Sequence, residues 1–202
     1  RFLISLTQMR KKLSILFILI NTLVLAQTNK RGVFQFSNDI GNPALKGSFS
    51  YNPTNQEYLI KGGGYNIWFG RDEFFFMYNK IQGDFIMTAN FEFTGPGKNL
   101  HRKTGFMIRE SDSANSPHIS ATLHGDGLTV LQWREIPGAS MRDPQDEIFA
   151  PLKNYNILQI ERAGKKIIMR AARFGEPLEI IGSHEMQNIK SEVLAGLFIC
   201  SH

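Results

Sequence analysis

Residues 84–93, Asp84-Phe85-Ile86-Met87-Thr88-Ala89-Asn90-Phe91-Glu92-Phe93, decide the fold. Phe85, Met87, Ala89, Phe91 and Phe93 occupy alternate positions, with Ile86, Thr88, Asn90 and Glu92 between them. A period of two places the first set on one face of a β-strand and the second on the other. One face is therefore packed and the other largely wet. The same period dominates from residue 32 onward, and no window of eleven residues carries a clean helical repeat. Further strands are expected at 32–36, 47–51, 58–61, 73–78, 104–109, 118–124, 128–134, 156–162, 166–172, 178–182 and 195–200.

Turn residues separate these runs: Asn42-Pro43, Asn52-Pro53, Gly62-Gly63-Gly64, Gly95-Pro96-Gly97, Gly125-Asp126-Gly127, Ala163-Gly164 and Gly175-Glu176-Pro177. Many short strands at such spacing make an all-β sandwich or barrel. The stretch 136–152, with Pro137, Gly138, Pro144 and Pro151, reads as an irregular excursion over the surface, where binding residues often sit. No internal repeat or low-complexity segment is present.

Residues 9–26 read as a secretory signal peptide. Arg10, Lys11 and Lys12 form a basic start, an apolar run follows from Leu13 to Ile20, and Val24-Leu25-Ala26 ends in the small residue needed before cleavage at Gln27. Met9 is the expected start, with residues 1–8 an upstream leader, so 1–26 precede a single domain at 27–202. The apolar stretch is too short for a membrane span, and none is expected in the mature chain. The net charge of +5 comes mostly from Arg1, Arg10, Lys11 and Lys12; the chain from Gln27 carries 19 basic and 18 acidic residues. That balance argues against nucleic acid as a partner. At 176 residues the exported chain can bury roughly 70% of its unfolded surface without covalent staples. Cys200 is the only cysteine, so neither an intrachain disulfide nor a thiolate zinc site of the finger type can form, and the thiol is expected to be buried and inert.

Polar residues recur at alternate positions on three central strands: Arg109; His118, Ser120, Thr122 and His124; Gln132 and Arg134. If those strands are neighbours, these side chains line one face of one sheet. Arg, His, Gln and hydroxyls on such a face suit sugars, because planar donors and acceptors meet hydroxyl pairs while aromatic rings stack on the pyranose. Trp68, Tyr65 and Trp133 are the candidate rings. The competing expectation is an ordinary solvated sheet face with the aromatics in the core. Glycoside hydrolysis needs two carboxylates across the scissile bond. The acidic spots Asp72-Glu73, Glu110-Ser111-Asp112 and 143–147 are adjacent pairs or loop residues, expected to be solvated, with Ca²⁺ binding the alternative. His118 and His124 span roughly 20 Å along a strand, too far for one metal. Nucleophile-elbow, metalloprotease and P-loop motifs are missing, and Gly62-Gly63-Gly64 fits a strand bend.

The blocks Gly62-Gly63-Gly64-Tyr65-Asn66-Ile67-Trp68, Asp72-Glu73-Phe74, Gly83-Asp84-Phe85, Gly105-Phe106-Met107-Ile108-Arg109-Glu110, Leu131-Gln132-Trp133-Arg134 and Gly196-Leu197-Phe198-Ile199-Cys200-Ser201-His202 resemble a bacterial family of concanavalin A-like jelly rolls. Such domains occur in secreted or periplasmic proteins, sometimes ahead of a β-propeller of the Tol biopolymer-transport type. The resemblance implies a two-layer antiparallel sandwich of jelly-roll topology and makes carbohydrate a candidate ligand, although fold analogy alone assigns no activity. In the resembling family a further strand follows the Cys-Ser-His block, so this chain is expected to be truncated at its C-terminal edge, leaving a sheet edge unpaired. The expectation is a non-catalytic exported glycan-binding or accessory module. Trp68, Arg109, His124, Gln132 and Arg134 are its candidate ligand residues, with no catalytic residue and no cofactor; a structural Ca²⁺ is left open. The alternatives are a structural or protein-interaction module of a cell-envelope protein, and a divergent glycanase.

Overall fold

The computed structural model describes residues 30–202 other than Pro96 and Lys98, so the export signal expected at 9–26 and the leader expected before it lie outside the described residues. Arg31–His202 form one compact unit. Its strands are β1 (Phe36–Ile40), β2 (Ser48–Asn52), β3 (Glu57–Lys61), β4 (Phe74–Gln82), β5 (Phe85–Asn90), β6 (Lys103–Arg109), β7 (His118–His124), β8 (Thr129–Arg134), β9 (Glu147–Phe149), β10 (Ile157–Ala163), β11 (Lys166–Ala172), β12 (Glu179–Glu185) and β13 (Glu192–Cys200). Among the described residues no helix is long and apolar enough to cross a membrane.

All pairings are antiparallel. A seven-stranded sheet has the order β1-β4-β13-β6-β7-β8-β9, a four-stranded sheet the order β12-β11-β10-β5, and β2 and β3 form a separate hairpin. The two larger sheets make an antiparallel β-sandwich. Met77, Phe106, Ile108, Ile119, Ala121, Leu131 and Trp133 of the larger sheet share one core with Leu158, Ile160, Ile167, Met169 and Ala171 of the smaller. Phe85, Met87, Ala89, Phe91 and Phe93 pack against that core as the alternation requires, while Ile86 faces outward. They are half-buried rather than sealed, because β5 is an edge strand. The β10–β11 turn is a two-residue loop led by Gly164 at φ 62°, the positive φ that a tight hairpin of this hand needs.

The larger sheet is packed on its second face too. Phe74, Phe76, Tyr78, Met107, Leu194, Phe198 and Cys200 form another core with Ile40 and Ile67. This explains why β4 reads Phe-Phe-Phe-Met-Tyr with no polar alternation: strands buried on both faces are continuously apolar. Cys200 is buried, and burial pushes its thiol up to about 11.

Several expected bounds shift. The strand expected at 32–36 instead runs Phe36–Ile40, pairing with β4 so that Ile40 reaches the second core. The excursion 136–152 contains β9, which pairs with β8. Strand β13 is paired on both sides, by β4 and β6, and the edges of the two sheets fall at β1, β9, β12 and β5.

Candidate functional site

Strands β6, β7 and β8 are neighbours, and their register brings the expected polar side chains onto one face. Four cross-strand rows result: Arg109–His118–Arg134; Met107–Ser120–Gln132–Glu147; Gly105–Thr122–Val130–Phe149; and Lys103–His124. The face is buried rather than solvated, which removes the ordinary wet-face expectation: Arg109, His118, Ser120, Thr122, Gln132 and Arg134 are all at most 2% exposed.

The first row is an ionic knot. Asp72, expected in solvent or on Ca²⁺, is fully buried between two guanidiniums. Arg134 donates to both of its oxygens, Nη2 to Oδ1 at 2.7 Å and Nη1 to Oδ2 at 2.9 Å, and Arg109 Nη1 lies 3.4 Å from Oδ2. The remaining donors hold loop carbonyls: Arg109 Nε donates to Ser111 at 2.7 Å, Arg109 Nη2 to Ser113 at 2.5 Å, Arg134 Nε to Ala139 at 2.7 Å and Arg134 Nη2 to Phe69. Burial pushes the Asp72 carboxyl up against the opposing pull of the arginines, and draws Arg109 down to about 10. His118, 3.8 Å from Asp72, is held well below its ordinary value by burial and by both guanidiniums, so it is neutral. The knot ties together the loops that carry Phe69, Ser111 to Ser113 and Ala139; Met141 N donating to Trp68 O at 2.9 Å and Gly138 N to Asn115 O at 2.9 Å complete the lacing.

The middle of the face is different. Gln132 is 0% exposed, yet neither its amide oxygen nor its amide nitrogen has a hydrogen-bond partner. Beside it Thr122 Oγ1 donates to Ser120 Oγ at 3.0 Å. His124, 7% exposed, has no partner on either ring nitrogen, and burial together with Lys103 draws it down to about 3, leaving a neutral imidazole. Buried groups left unpaired cost about 1–3 kcal/mol each. Glu147, opposite Gln132, is raised to about 7 by burial and by Asp143, a value suited to proton transfer. The other carboxylate on this face, Asp72, is bound by the arginines, and Asp143, which raises Glu147, lies in the loop just before β9, so the described residues do not pair Glu147 with a carboxylate on its partner strand β8. Neither do they place three or more His, Cys, Asp or Glu side chains to hold a metal ion.

At the lower corner Lys103, 3% exposed, donates from Nζ to Asn66 Oδ1 at 2.9 Å and to the His101 carbonyl at 3.1 Å. Rings lead outward from there. His101 lies 5.9 Å from His124 and 5.7 Å from His202, whose ring is 6.3 Å from Tyr65. Tyr65 is 62% exposed and stacks on exposed Phe69 at 6.0 Å. Trp68, in the same loop, is half-buried. Trp133 lies on the opposite face, in the inter-sheet core, stacked at 3.9 Å on His184, and is not part of this site.

The site thus gathers His124 and Gln132 at its centre, with Arg109 and Arg134 engaged beside them and Trp68 on the adjoining loop. Sequence reasoning missed Lys103, Asn66 and Glu147. Lys103 could have been found by extending the alternation Arg109, Met107, Gly105 one step back; Glu147 sits in a strand too short to carry a period.

No protein-family model matches the chain, and no curated protein matches it. Among solved structures it is similar to a functionally unknown protein from Saccharomyces cerevisiae, with a TM-score of 0.48 and 10% identity, over 81% of this chain and 86% of that one. That similarity assigns no residue a role.

Proposed function

We propose that the chain is an exported, non-catalytic carbohydrate-binding or accessory module, a concanavalin A-like sandwich whose larger sheet receives a glycan. The single observation that carries this reading is Gln132, a wholly buried carboxamide with no partner on either polar atom. A buried amide that meets neither protein donor nor acceptor is a free-energy cost that a ligand hydroxyl pair would relieve. His124 offers the same, and Ser120 and Thr122 lie between them. The exposed Tyr65–Phe69 pair and Trp68 supply apolar rings next to this polar floor, as a pyranose requires. His124 and Gln132 touch the ligand in this reading. Arg109 and Arg134 are positioning residues that hold the Trp68 loop.

The test is glycan binding by wild type and Gln132→Leu. The variant should lose binding tenfold or more, while the free protein becomes no less stable, because an unsatisfied amide is exchanged for an apolar side chain. If no glycan binds and the protein instead captures a cell-envelope protein, the interaction-module reading replaces it; exposed Phe174, Leu178 and Ile180 beside edge strand β12 are the observation in its favour. Reducing-sugar release abolished by Glu147→Gln would make the site a glycanase.

A further inference from the structure

The edge strand β1 turns polar side chains inward. Phe36 stacks on Tyr78 at 5.3 Å, Asn38 Nδ2 donates to the Tyr78 hydroxyl at 3.1 Å, and Ile40 enters the second core. Ser37 and Asp39 therefore alternate onto the other face, opposite Met77 and Phe75 of β4, where the first core would call for apolar residues. The β2–β3 hairpin packs on that end of the sheet, with Phe49 stacked on Phe75 at 6.5 Å. Between strand and hairpin runs an open cleft of about 430 Å³, whose walls include Ser37, Asp39, Lys46, Gly47, Phe49 and Phe75. That volume falls within the roughly 300–1,000 Å³ of small-ligand sites. Gly47 N donates a forked bond to both Asp39 oxygens, at 2.9 and 3.2 Å, and among the described residues no other protein donor holds that carboxylate. A Cβ at position 47 would fall on the Phe75 ring, so the chain approaches Asp39 this closely because the residue is glycine. A carboxylate has about four acceptor sites, so capacity remains on both oxygens. Inward polar groups also guard a sheet edge against pairing, but guarding requires neither a cleft nor a carboxylate fixed by a backbone N–H.

We propose that this cleft binds a neutral saccharide, with two adjacent hydroxyls donating to the Asp39 carboxylate and the C–H face of the pyranose on Phe49. The site lies apart from the Gln132 face; it shares with the reading above only the class of ligand and stands on its own geometry. An ionised Asp39 can only accept, so the ligand must bring donors, and a pair of neighbouring hydroxyls matches the two oxygens of a carboxylate. The aromatic wall suits the apolar side of a sugar ring. Asp39 and Lys46 give the cleft one charge of each sign, which disfavours a ligand carrying net charge of either kind. A smaller hollow of about 150 Å³ shares Ser48 and Phe49 with the cleft and reaches Leu59 and Lys61, so a disaccharide has a path along the hairpin.

The experiment is an NMR titration of the wild-type chain and Asp39→Asn with cellobiose, maltose, lactose and mannobiose, and with tetramethylammonium as a cation probe. At least one disaccharide should move the Gly47 amide and the Phe49 ring resonances saturably. Asp39→Asn should weaken that binding at least tenfold, since it turns one carboxylate acceptor into a donor. Movement at the Gln132 side-chain amide alone overturns the cleft and leaves the large-sheet reading standing, whereas movement at Gly47 alone supports the cleft and removes that reading. Movement at neither overturns both. Undiminished binding by Asp39→Asn overturns the proposal, and tetramethylammonium moving Gly47 where no sugar does overturns the saccharide as ligand. Because Asp39→Asn could fail to fold, the wild type gives a second readout: the bound sugar must show nuclear Overhauser contacts between its C–H protons and the Phe49 ring, and their absence overturns the proposal.

Discussion

Replacing Asp72 with Asn should destabilise the fold by about 3–5 kcal/mol, which makes the ionic knot the part of this site most open to refutation. The carboxylate accepts two short charge-assisted hydrogen bonds from Arg134, at 2.7 and 2.9 Å, and a longer one from Arg109 at 3.4 Å. Bonds to charged groups contribute about 1.5–3 kcal/mol each. Asparagine keeps one acceptor oxygen but turns an amide nitrogen toward a guanidinium, and it leaves two buried cations with no anion. The loss of the two short bonds, less what the retained oxygen recovers, gives the same few kcal/mol. Urea unfolding followed by tryptophan fluorescence is the assay, because Trp133 reports the core while Trp68 reports the loop that the knot holds. With a urea slope of about 2 kcal/mol/M, the midpoint should fall by about 2 M with the slope unchanged. The part-exposed pair Arg170–Glu161, at 2.6 Å, is the control, and its removal should cost less than about 1 kcal/mol. An Asp72→Asn loss below about 1 kcal/mol would refute the reasoning and free Arg109 and Arg134 to serve a ligand directly.

Phe91→Ala should cost about 2–3 kcal/mol, below the value for a sealed phenylalanine, because the ring is half-buried and meets Phe106 edge-on at 5.2 Å; a loss under about 1 kcal/mol would put that face outside the core. Two groups give opposing pH dependences. Glu147, raised to about 7, contributes stability that is full below its unfolded value near 4.5 and lost as pH rises through 7; Glu147→Gln should abolish that decline. His124, drawn down to about 3, contributes stability present above 6.5 and lost as pH falls toward 3, at most ~5 kcal/mol, and His124→Leu should flatten the acid limb of a melting-temperature profile. Gly105→Ala should cost about 3 kcal/mol or more in denaturant unfolding, since its φ is +150° and a Cβ there would lie 2.0 Å from the Ala121 carbonyl oxygen; a neutral result would mean that β6 and β7 are not packed so closely.

Much of this molecule was legible in its sequence because period two survives wherever one face is apolar. The alternation in residues 84–93 placed the β5 aromatics correctly, and the matching alternations of Arg109, of His118 to His124 and of Gln132 and Arg134 placed a polar face before any strand order was known. What the alternation could not supply was the environment of that face. Whether a polar face is wet or sealed depends on loops distant in the chain, and Asp72 reaches Arg134 across 62 residues of sequence. An adjacent Asp-Glu pair in a loop reads as solvated because nothing local announces two guanidiniums. Strand β4 shows the converse: its unbroken apolar run hides the period, since both faces are buried.

The position of β13 has a consequence for how the protein comes into being. It comes last in chain order among the described strands, yet it lies between β4 and β6, hydrogen-bonded to both. During synthesis β4 and β6 therefore cannot occupy their native places until a segment about 80 residues beyond β6 has emerged, several seconds later at roughly 5–20 residues per second. The growing chain has to hold two apolar strand edges apart over that interval. The large sheet is thus completed only once β13 has emerged, and the entry of β13, a pairing of long sequence separation, is the step expected to be slow.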